Sequence, residues 1–469
     1  MPEGLINIGG LAFYGCSSLT SITLPSSLTS IGYRVFNMCV ALAEVYNYSS
    51  LNLTIGSGTN GEVANHAKVV YNLSDGEDKP ETRIQTIGNM KYYVYEDDFI
   101  ALAPTSRNIT SVKLDNRTTE INQRAFSQCD SLTTVELDQC TSLTSIGEWV
   151  FSGCTSLKSI DLPEGLTSIG DYAFNGCDKL QPSMTDDNGV KYLGSEQNPY
   201  LVLWDGTAIT SSSYTVNLDC RIIYYNAFSG CDVLASITLP EGLTSIGNSA
   251  FYGCDNLQPS TTDQGVKYLG SEQNPYLVLW GGTGITSSSY TVKPDCRIIY
   301  YSAFHNCTSL TSITLPEGLT SIGERAFYDC TGLTRITLPE GLTSIGEYAF
   351  SNCDKLTSIT LPEGLTSIGD RAFENCYGLT SITLPSSLTS IGDYAFNGCS
   401  KLTEVIIDSE YVYTSATSTL MWGGLLGNVT TVKVLTSLVE AGTNSYITTN
   451  FTKGPTEVIG DKNYTVYSK

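Results

Sequence analysis

The sequence repeats itself every 23 residues, and this period restricts the chain to a repeat architecture. A typical unit, residues 333–353, reads LTRITLPEGLTSIGEYAFSNC. A unit this short cannot bury its own apolar side chains, so neighbouring units must stack around one continuous core. Cysteine marks the period at intervals of 23 residues in four runs: Cys16 and Cys39; Cys154 and Cys177; Cys231 and Cys254; and Cys307, Cys330, Cys353, Cys376 and Cys399.

Within each unit the hydrophobic pattern is typical of short strands. SIT and TSIG alternate polar and apolar residues with a period of two, and the PEG segment and the glycine after isoleucine supply turns. The pattern therefore predicts a β-rich solenoid. Twelve of the fourteen phenylalanines occupy one position of the unit, in an AF or VF dipeptide: Phe13, Phe36, Phe126, Phe151, Phe174, Phe228, Phe251, Phe304, Phe327, Phe350, Phe373 and Phe396.

The period is interrupted three times, and these interruptions predict insertions at about 46–110, 181–213 and 258–289. The second and third share the string GVKYLGSEQNPYLVLW, which predicts a β-hairpin with a six-residue loop, GSEQNP. Each is followed by a divergent unit in which Cys220 or Cys296 takes a buried leucine position. We therefore expect a solenoid over residues 1–408 and a β-rich C-terminal cap over 409–469.

The LxxIxLP strand and the IGxxAFxxC stretch resemble the repeat of the BspA-like leucine-rich-repeat family. The resemblance covers most of the chain up to about residue 408 and implies a right-handed leucine-rich-repeat superhelix. It also implies a surface-exposed or secreted protein that adheres to host matrix proteins or other cells. No signal peptide is predicted, and we expect the chain to begin part-way through a longer protein, since MPEGLINIG aligns with LPEGLTSIG.

Charge and residue usage restrict the function. The chain has 25 Lys and Arg against 47 Asp and Glu, a net charge of −22, which argues against nucleic acid or an anionic membrane as partner. No apolar run is long enough to span a membrane. With only two histidines and no catalytic motif, the sequence predicts neither an enzyme nor a bound cofactor.

Three patterns have a structural and a functional interpretation. The repeated cysteines are expected to be buried free thiols, with disulfides between coils as the alternative. Gly56, Gly58 and Gly61 match a dinucleotide-binding GxGxxG before a possible short helix, but the repeats resume too soon for that fold. The PEG glutamates are expected to be solvated, with weak calcium binding or a basic partner as alternatives: Glu164, Glu241, Glu317, Glu340 and Glu363.

The candidate binding residues lie at two kinds of position. In LxxIxLP the residues beside isoleucine must point outward, and they predict an exposed polar sheet face: Ser312, Thr314, Arg335, Thr337, Ser358, Thr360, Ser381 and Thr383. The inserted hairpins add aromatic candidates: Tyr200, Trp204, Tyr276 and Trp280. The expected partner is a protein or glycoprotein on a host or neighbouring cell surface; a structural spacer for another domain is the alternative.

Overall fold

The computed structural model describes residues 1–51, 53, 60–95, 98–388, 390–392, 394–409, 428–441, 447, 451–459 and 462–469. These residues divide into two compact units, Met1–Asn52 with Gly58–Gln258, and Leu53–Ser57 with Pro259–Lys469. Both units consist of stacked β-coils, and the described residues form about 17 turns with almost no helix. The predicted β-solenoid is therefore confirmed.

Each regular coil contributes one strand to each of two parallel sheets. The first strand comes from the SIT segment. In the first unit these strands are β2 (Ser21–Leu24), β4 (Glu44–Asn47), β5 (Val69–Asn72), β9 (Ser111–Lys113), β11 (Thr134–Glu136), β13 (Ser159–Asp161), β18 (Ser213–Thr215) and β20 (Ser236–Thr238). In the second unit they are β25 (Ser289–Thr291), β27 (Ser312–Thr314), β29 (Arg335–Thr337), β31 (Ser358–Thr360), β33 (Ser381–Leu384) and β35 (Glu404–Ile407).

The second strand comes from the TSIG segment and is only two residues long. In the first unit these strands are β1 (Asn7–Ile8), β3 (Ser30–Ile31), β10 (Glu120–Ile121), β12 (Ser145–Ile146), β14 (Ser168–Ile169), β19 (Ile222–Ile223) and β21 (Ser245–Ile246). In the second unit they are β26 (Ile298–Ile299), β28 (Ser321–Ile322), β30 (Ser344–Ile345), β32 (Ser367–Ile368) and β34 (Ser390–Ile391). Equivalent residues of successive coils pair, as Ser321 does with Ser344, so the sequence period is also the register of the sheet.

All three insertions contain the same antiparallel meander of three strands. They are β6 (Ile84–Ile87), β7 (Met90–Tyr95) and β8 (Asp98–Pro104); β15 (Met184–Thr185), β16 (Lys191–Leu193) and β17 (Val202–Asp205); and β22 (Thr261–Asp263), β23 (Val266–Leu269) and β24 (Val278–Gly281). The last strand of each pairs in parallel with the next second strand, β10, β19 or β26. The meanders are therefore built into the solenoid sheet rather than looped out from it.

The predicted hairpins are confirmed, but their loop is longer than six residues. The antiparallel pairing of β16 ends at Leu193 and β17 begins at Val202, so residues 194–201 form the connection. Side chains hold it: the Asn198 amide oxygen accepts a hydrogen bond from Tyr200 N at 3.0 Å, and Ser195 Oγ accepts one from Asn198 N at 3.1 Å. These bonds hold Tyr200 in the connection, outside the paired residues of β16 and β17.

The C-terminal strands complete the last sheet of the second unit. Strand β36 (Thr431–Leu435) pairs in parallel with β35, and β38 (Lys462–Ser468) then pairs antiparallel with both β36 and β37 (Thr452–Ile459). A short helix, α1 (Thr436–Ala441), follows β36. In the described part of the chain no helix is long and apolar enough to span a membrane.

The glycine-rich segment does not begin an α-helix. Gly56 and Gly58 lie outside the described residues, while Gly61 lies in a 3-10 turn, Asn60–Glu62. A Cβ at Gly61 would lie 2.6 Å from Ile31 Cγ2, so this glycine is required by close packing. The segment after it turns and then forms β5, which pairs in parallel with β4, so the prediction of a possible short helix is wrong.

The core is a set of side-chain columns. Phenylalanines of adjacent coils stack with ring centroids 5.1–5.6 Å apart, and Phe350 lies between Phe327 and Phe373. Every cysteine is free, and all except the half-buried Cys16 are buried. The thiol of Cys353 donates to the Phe327 carbonyl at 3.3 Å, and Cys376 donates to Phe350 at 3.2 Å. The predicted burial of the repeated cysteines is therefore confirmed at all of them except Cys16, and burial raises the pKa of Cys399 to about 12.

Candidate binding surface

The outward positions of the first strands form a polar face in the second unit. Strands β25, β27, β29 and β31 are adjacent, and Ser312, Arg335 and Ser358 align across them. The isoleucine between each outward pair is buried, as in the exposed-buried-exposed pattern of β29 and β31. Thr314, Thr337 and Thr360 form the parallel second row. We define these six side chains, with Ser381 and Thr383 of β33, as the strand face.

The side chains of the strand face have hydrogen-bonding groups that the fold does not use. Within the described ranges, no hydrogen bond or ion pair engages any of the eight, Arg335 included. Arg335, Thr337, Ser358 and Thr360 are exposed, whereas Ser381 and Thr383 are half-buried. This face therefore presents a rigid array of free donors and acceptors.

Neighbouring threonines of the same repeat are used by the fold. Thr334 Oγ1 donates to the Thr311 carbonyl at 2.9 Å, and Thr357 donates to Thr334 at 3.3 Å. A second ladder follows the TSIG segment, where Thr366 donates to the Thr343 carbonyl at 3.0 Å. These threonines thus stabilise stacking of the coils, whereas the side chains of the strand face make no such bond among the described residues.

In the five-stranded sheet that contains β33 and β36, the cation Lys433 is paired internally. Lys433 Nζ lies 2.9 Å from Glu404 and 3.2 Å from Glu457. These carboxylates raise the pKa of Lys433, although burial opposes them. Arg335, on the four-stranded sheet of β25, β27, β29 and β31, makes no ion pair in the described residues, so a ligand can reach it without breaking one.

The four aromatic candidates lie on the meanders rather than on the strand face. Tyr200 packs edge-on against Tyr192, and Tyr276 packs in the same way on Tyr268, with ring centroids 5.2 Å apart in both copies. Strands β17 and β24 belong to the sheets of second strands, so Trp204 and Trp280 lie on different sheets from the strand face. The structure thus does not bring the two sets of predicted residues together in one sheet.

Trp204 lines an open cavity of about 380 Å³ in the first unit. Its wall also includes Asp178, Gln181 and Lys191, which the sequence reasoning missed. One signal was available, because QPS stands after both Leu180 and Leu257 where the regular repeat has TSI after its leucine. Trp280 has the ammonium group of Lys267 5.8 Å from its ring centroid.

Each duplicated insertion also contains a buried tyrosine pair with a carboxylate. Tyr192 and Tyr214 share a hydrogen bond of 2.5 Å, and the Tyr214 hydroxyl donates to Asp186 at 2.7 Å. Burial, followed by these two hydrogen-bond partners, raises the pKa of Tyr214 far above its ordinary value. Because its phenol stays protonated, Tyr214 of β18 donates the hydrogen bond to Asp186 that joins the insertion to β18.

The PEG glutamates are exposed side chains, as expected from the sequence. Glu363 is paired with Lys462 at 3.6 Å. Among the described residues, no group of three or more His, Cys, Asp or Glu side chains is arranged to hold a metal ion. Calcium binding at these turns stays an untested prediction.

Comparison with known proteins agrees with the repeat. Residues 1–61, 104–197, 206–273 and 289–418 match the family described as BspA type Leucine rich repeat region, in six copies. No curated protein matches the chain significantly.

Several solved structures that are similar to this chain are leucine-rich-repeat proteins. A leucine-rich cell surface protein from Faecalibacterium prausnitzii is 23% identical over 72% of this chain and 98% of its own, with a TM-score of 0.33. A leucine-rich repeat protein from Bacteroides ovatus is 28% identical over 76% of this chain and 91% of its own, with a TM-score of 0.30. The T. pallidum leucine-rich repeat protein is 20% identical over 58% of this chain and 89% of its own, with a TM-score of 0.22.

Proposed function

Because the chain belongs to the BspA-type leucine-rich-repeat family, we propose that it is a non-enzymatic protein that binds a protein or glycoprotein ligand on a host or neighbouring cell surface. The observation that carries this proposal is the strand face, whose side chains are aligned across coils and make no internal hydrogen bond or ion pair in the described residues. The protein itself is proposed to act at the cell surface or outside the cell.

The physical case rests on preorganisation. Side chains one coil apart are held about 4.8 Å from one another by the parallel sheet, so the face loses little conformational entropy when it binds. Serine and threonine each offer a donor and an acceptor, and Arg335 supplies a planar cation that can bind a carboxylate with two hydrogen bonds. Such a face fits a polar protein surface better than an apolar one.

The test is binding to immobilised laminin, fibronectin and collagen and to intact cells, measured by biolayer interferometry or flow cytometry. The variant Thr337→Glu with Thr360→Glu places two charges on the strand face, and we expect affinity to fall at least about tenfold. The matched control, Thr308→Glu with Ser309→Glu, places the same charges on exposed residues outside the strands of that unit.

An equal loss in both variants would assign the effect to net charge and reject the strand face as the site. A spacer is the second candidate, favoured by the near-identical coils between Cys307 and Cys399. The absence of saturable binding to every probe would favour the spacer over recognition.

A further inference from the structure

The cavity beside Trp204 has the size and walls of a small-molecule site. Its volume of about 380 Å³ lies at the small end of the range for such sites, about 300–1,000 Å³. The half-buried indole of Trp204, the ring of Pro182 and the edge of Phe174 provide apolar surface. Asp178, Gln181 and Lys191 provide polar groups around the same opening.

The walls of this cavity are held by the solenoid and do not depend on a mobile loop. Phe174 N donates to the Tyr224 hydroxyl at 3.1 Å, which ties the coil to the strand after the insertion. Lys191 Nζ lies 2.7 Å from Asp205, the residue after Trp204, across the β16–β17 pair. Gln181 N donates to the Lys158 carbonyl at 2.9 Å. The cavity is thus preformed.

The chemistry of the opening selects against the commoner ligand classes. The net charge of −22 and the free Asp178 carboxylate repel phosphates and nucleotides. No hydrogen bond or ion pair in the described residues occupies Asp178, so that carboxylate can accept from a ligand hydroxyl. The Gln181 side-chain amide donates one hydrogen bond to the Lys179 carbonyl at 3.0 Å, and its oxygen and second N–H can serve a ligand. Lys191 Nζ, besides its pair with Asp205, has further N–H groups to donate.

We propose that the Trp204 cavity binds a neutral saccharide ring. An apolar ring face lies on the indole while hydroxyl groups at the ring edge meet Asp178, Gln181 and Lys191. This combination of one aromatic surface with donors and acceptors at its rim suits a ligand that is apolar on its face and hydroxylated at its edge. The assignment is independent of the strand face.

The sequence repeats these groups once. Asp178 and Gln181 recur 77 residues later, and Lys191 and Trp204 recur 76 residues later, as Asp255, Gln258, Lys267 and Trp280. Several neighbouring residues differ between the copies; for example, Asn175 of the first copy corresponds to Tyr252 of the second.

The experiment is fluorine NMR on the full chain labelled with 5-fluorotryptophan. The chain has four tryptophans, so we expect four resonances. Trp204→Phe assigns the resonance of Trp204. The probes are maltose, cellobiose, lactose and diacetylchitobiose, with the peptide Gly-Pro-Phe as the non-sugar arm. We expect at least one disaccharide to shift the Trp204 resonance saturably. Trp149, which stacks on Tyr172 at 4.3 Å, should not respond.

A second variant separates binding from folding. Asp178→Asn keeps the size of an exposed side chain, and we expect it to weaken the disaccharide at least about tenfold, as for loss of a charged hydrogen bond. Asp232→Asn is the matched control, because Asp232 follows Cys231 as Asp178 follows Cys177. The proposal is overturned if no disaccharide shifts the Trp204 resonance, if only the peptide does, or if both variants weaken binding equally.

Discussion

At the residue scale, each coil depends on a left-handed residue before its cysteine. At Cys129 and at the eleven cysteines of the 23-residue runs, the preceding residue has a φ between +57° and +76°. Six of these residues are glycine, and the others are Met38, Gln128, Asn306, Asp329, Asn352 and Asn375. Glycine, asparagine and aspartate tolerate this conformation best, which explains the GC, NC and DC dipeptides of the sequence.

This backbone requirement predicts that Asn352→Val is destabilising. A β-branched residue at a φ of 60° costs about 1–2 kcal/mol, and the variant also removes the Asn352 hydrogen bond to Asp329 at 2.7 Å. Asn352→Gly removes the same hydrogen bond without the strain, so it is the matched control. Hydrogen exchange of residues 330–376 should speed up much more in the valine variant. Equal protection in the two variants would contradict the argument.

At the scale of the element, a coil is held mainly by contact with its two neighbours. Phe350 is fully buried, 5.1 Å from Phe327 and 5.3 Å from Phe373 between ring centroids. The thiol and threonine hydrogen bonds also join each coil to the one before it. Stability should therefore be nearly a sum of terms between neighbours.

Phe350→Ala is expected to destabilise the surrounding coils by roughly 3–5 kcal/mol, the range for removing a large buried aromatic ring. Hydrogen exchange measured by mass spectrometry should show the loss of protection in coils from residue 330 to 376. Protection around Phe151, in the first unit, should hardly change. A uniform loss along the chain would mean that the coils do not unfold independently.

A column of alternating arginine and tyrosine also joins coils. Tyr348 lies between two guanidinium groups, with Arg325 Cζ 5.1 Å and Arg371 Cζ 5.5 Å from its ring centroid. Arg371 Nη1 also donates to the Tyr348 hydroxyl at 2.5 Å, and its Cζ lies 5.2 Å from the Tyr394 ring. Arg325, Tyr348, Arg371 and Tyr394, which alternate at one position of successive repeats, are thus in contact from coil to coil.

A double-mutant cycle on Tyr348→Ala and Arg371→Ala measures what this contact contributes. We expect a coupling of at least about 0.5 kcal/mol, because cation–π contacts at exposed sites are worth about 0.5–1 kcal/mol. The readout is the free energy of local opening of these coils from hydrogen exchange. If the losses in free energy are additive, the arginine–tyrosine contacts contribute no coupling energy.

At the scale of the whole molecule, many cysteine thiols and tyrosine phenols are buried and must stay protonated in the folded state. Burial raises the pKa of Cys220 to about 12 and that of Cys296 to about 12, against 9.0 for a free thiol. The buried phenol of Tyr192 is raised to about 12 from 10.0. Ionisation of these groups is possible only when the coils open.

The protein should therefore lose stability above about pH 9. Below the unfolded pKa of 9.0 neither state ionises and the stabilisation is complete; above it the unfolded chain loses protons that the folded chain retains. Each buried thiol then costs up to about 1.4 kcal/mol per pH unit until the folded pKa is reached. Urea midpoints at pH 7.5 and pH 10.5, with a reductant present, test this. An unchanged midpoint would contradict it, and Cys220→Ala should reduce the pH dependence.

The repeat by itself determined the β-solenoid, the buried columns and the outward strand positions, since a period of 23 residues allows only one register between coils. Tertiary structure decided what lies in the interruptions. The meander at Ile84–Pro104 shares little more than a Lys-Tyr pair, Lys91 and Tyr92, with the two recognisable copies. The Trp204 cavity could not be predicted from the sequence either, because its walls come from a coil and from an insertion that are separated along the chain. Periodicity specifies contacts between equivalent residues, whereas contacts between non-equivalent segments depend on how the chain packs after the period breaks.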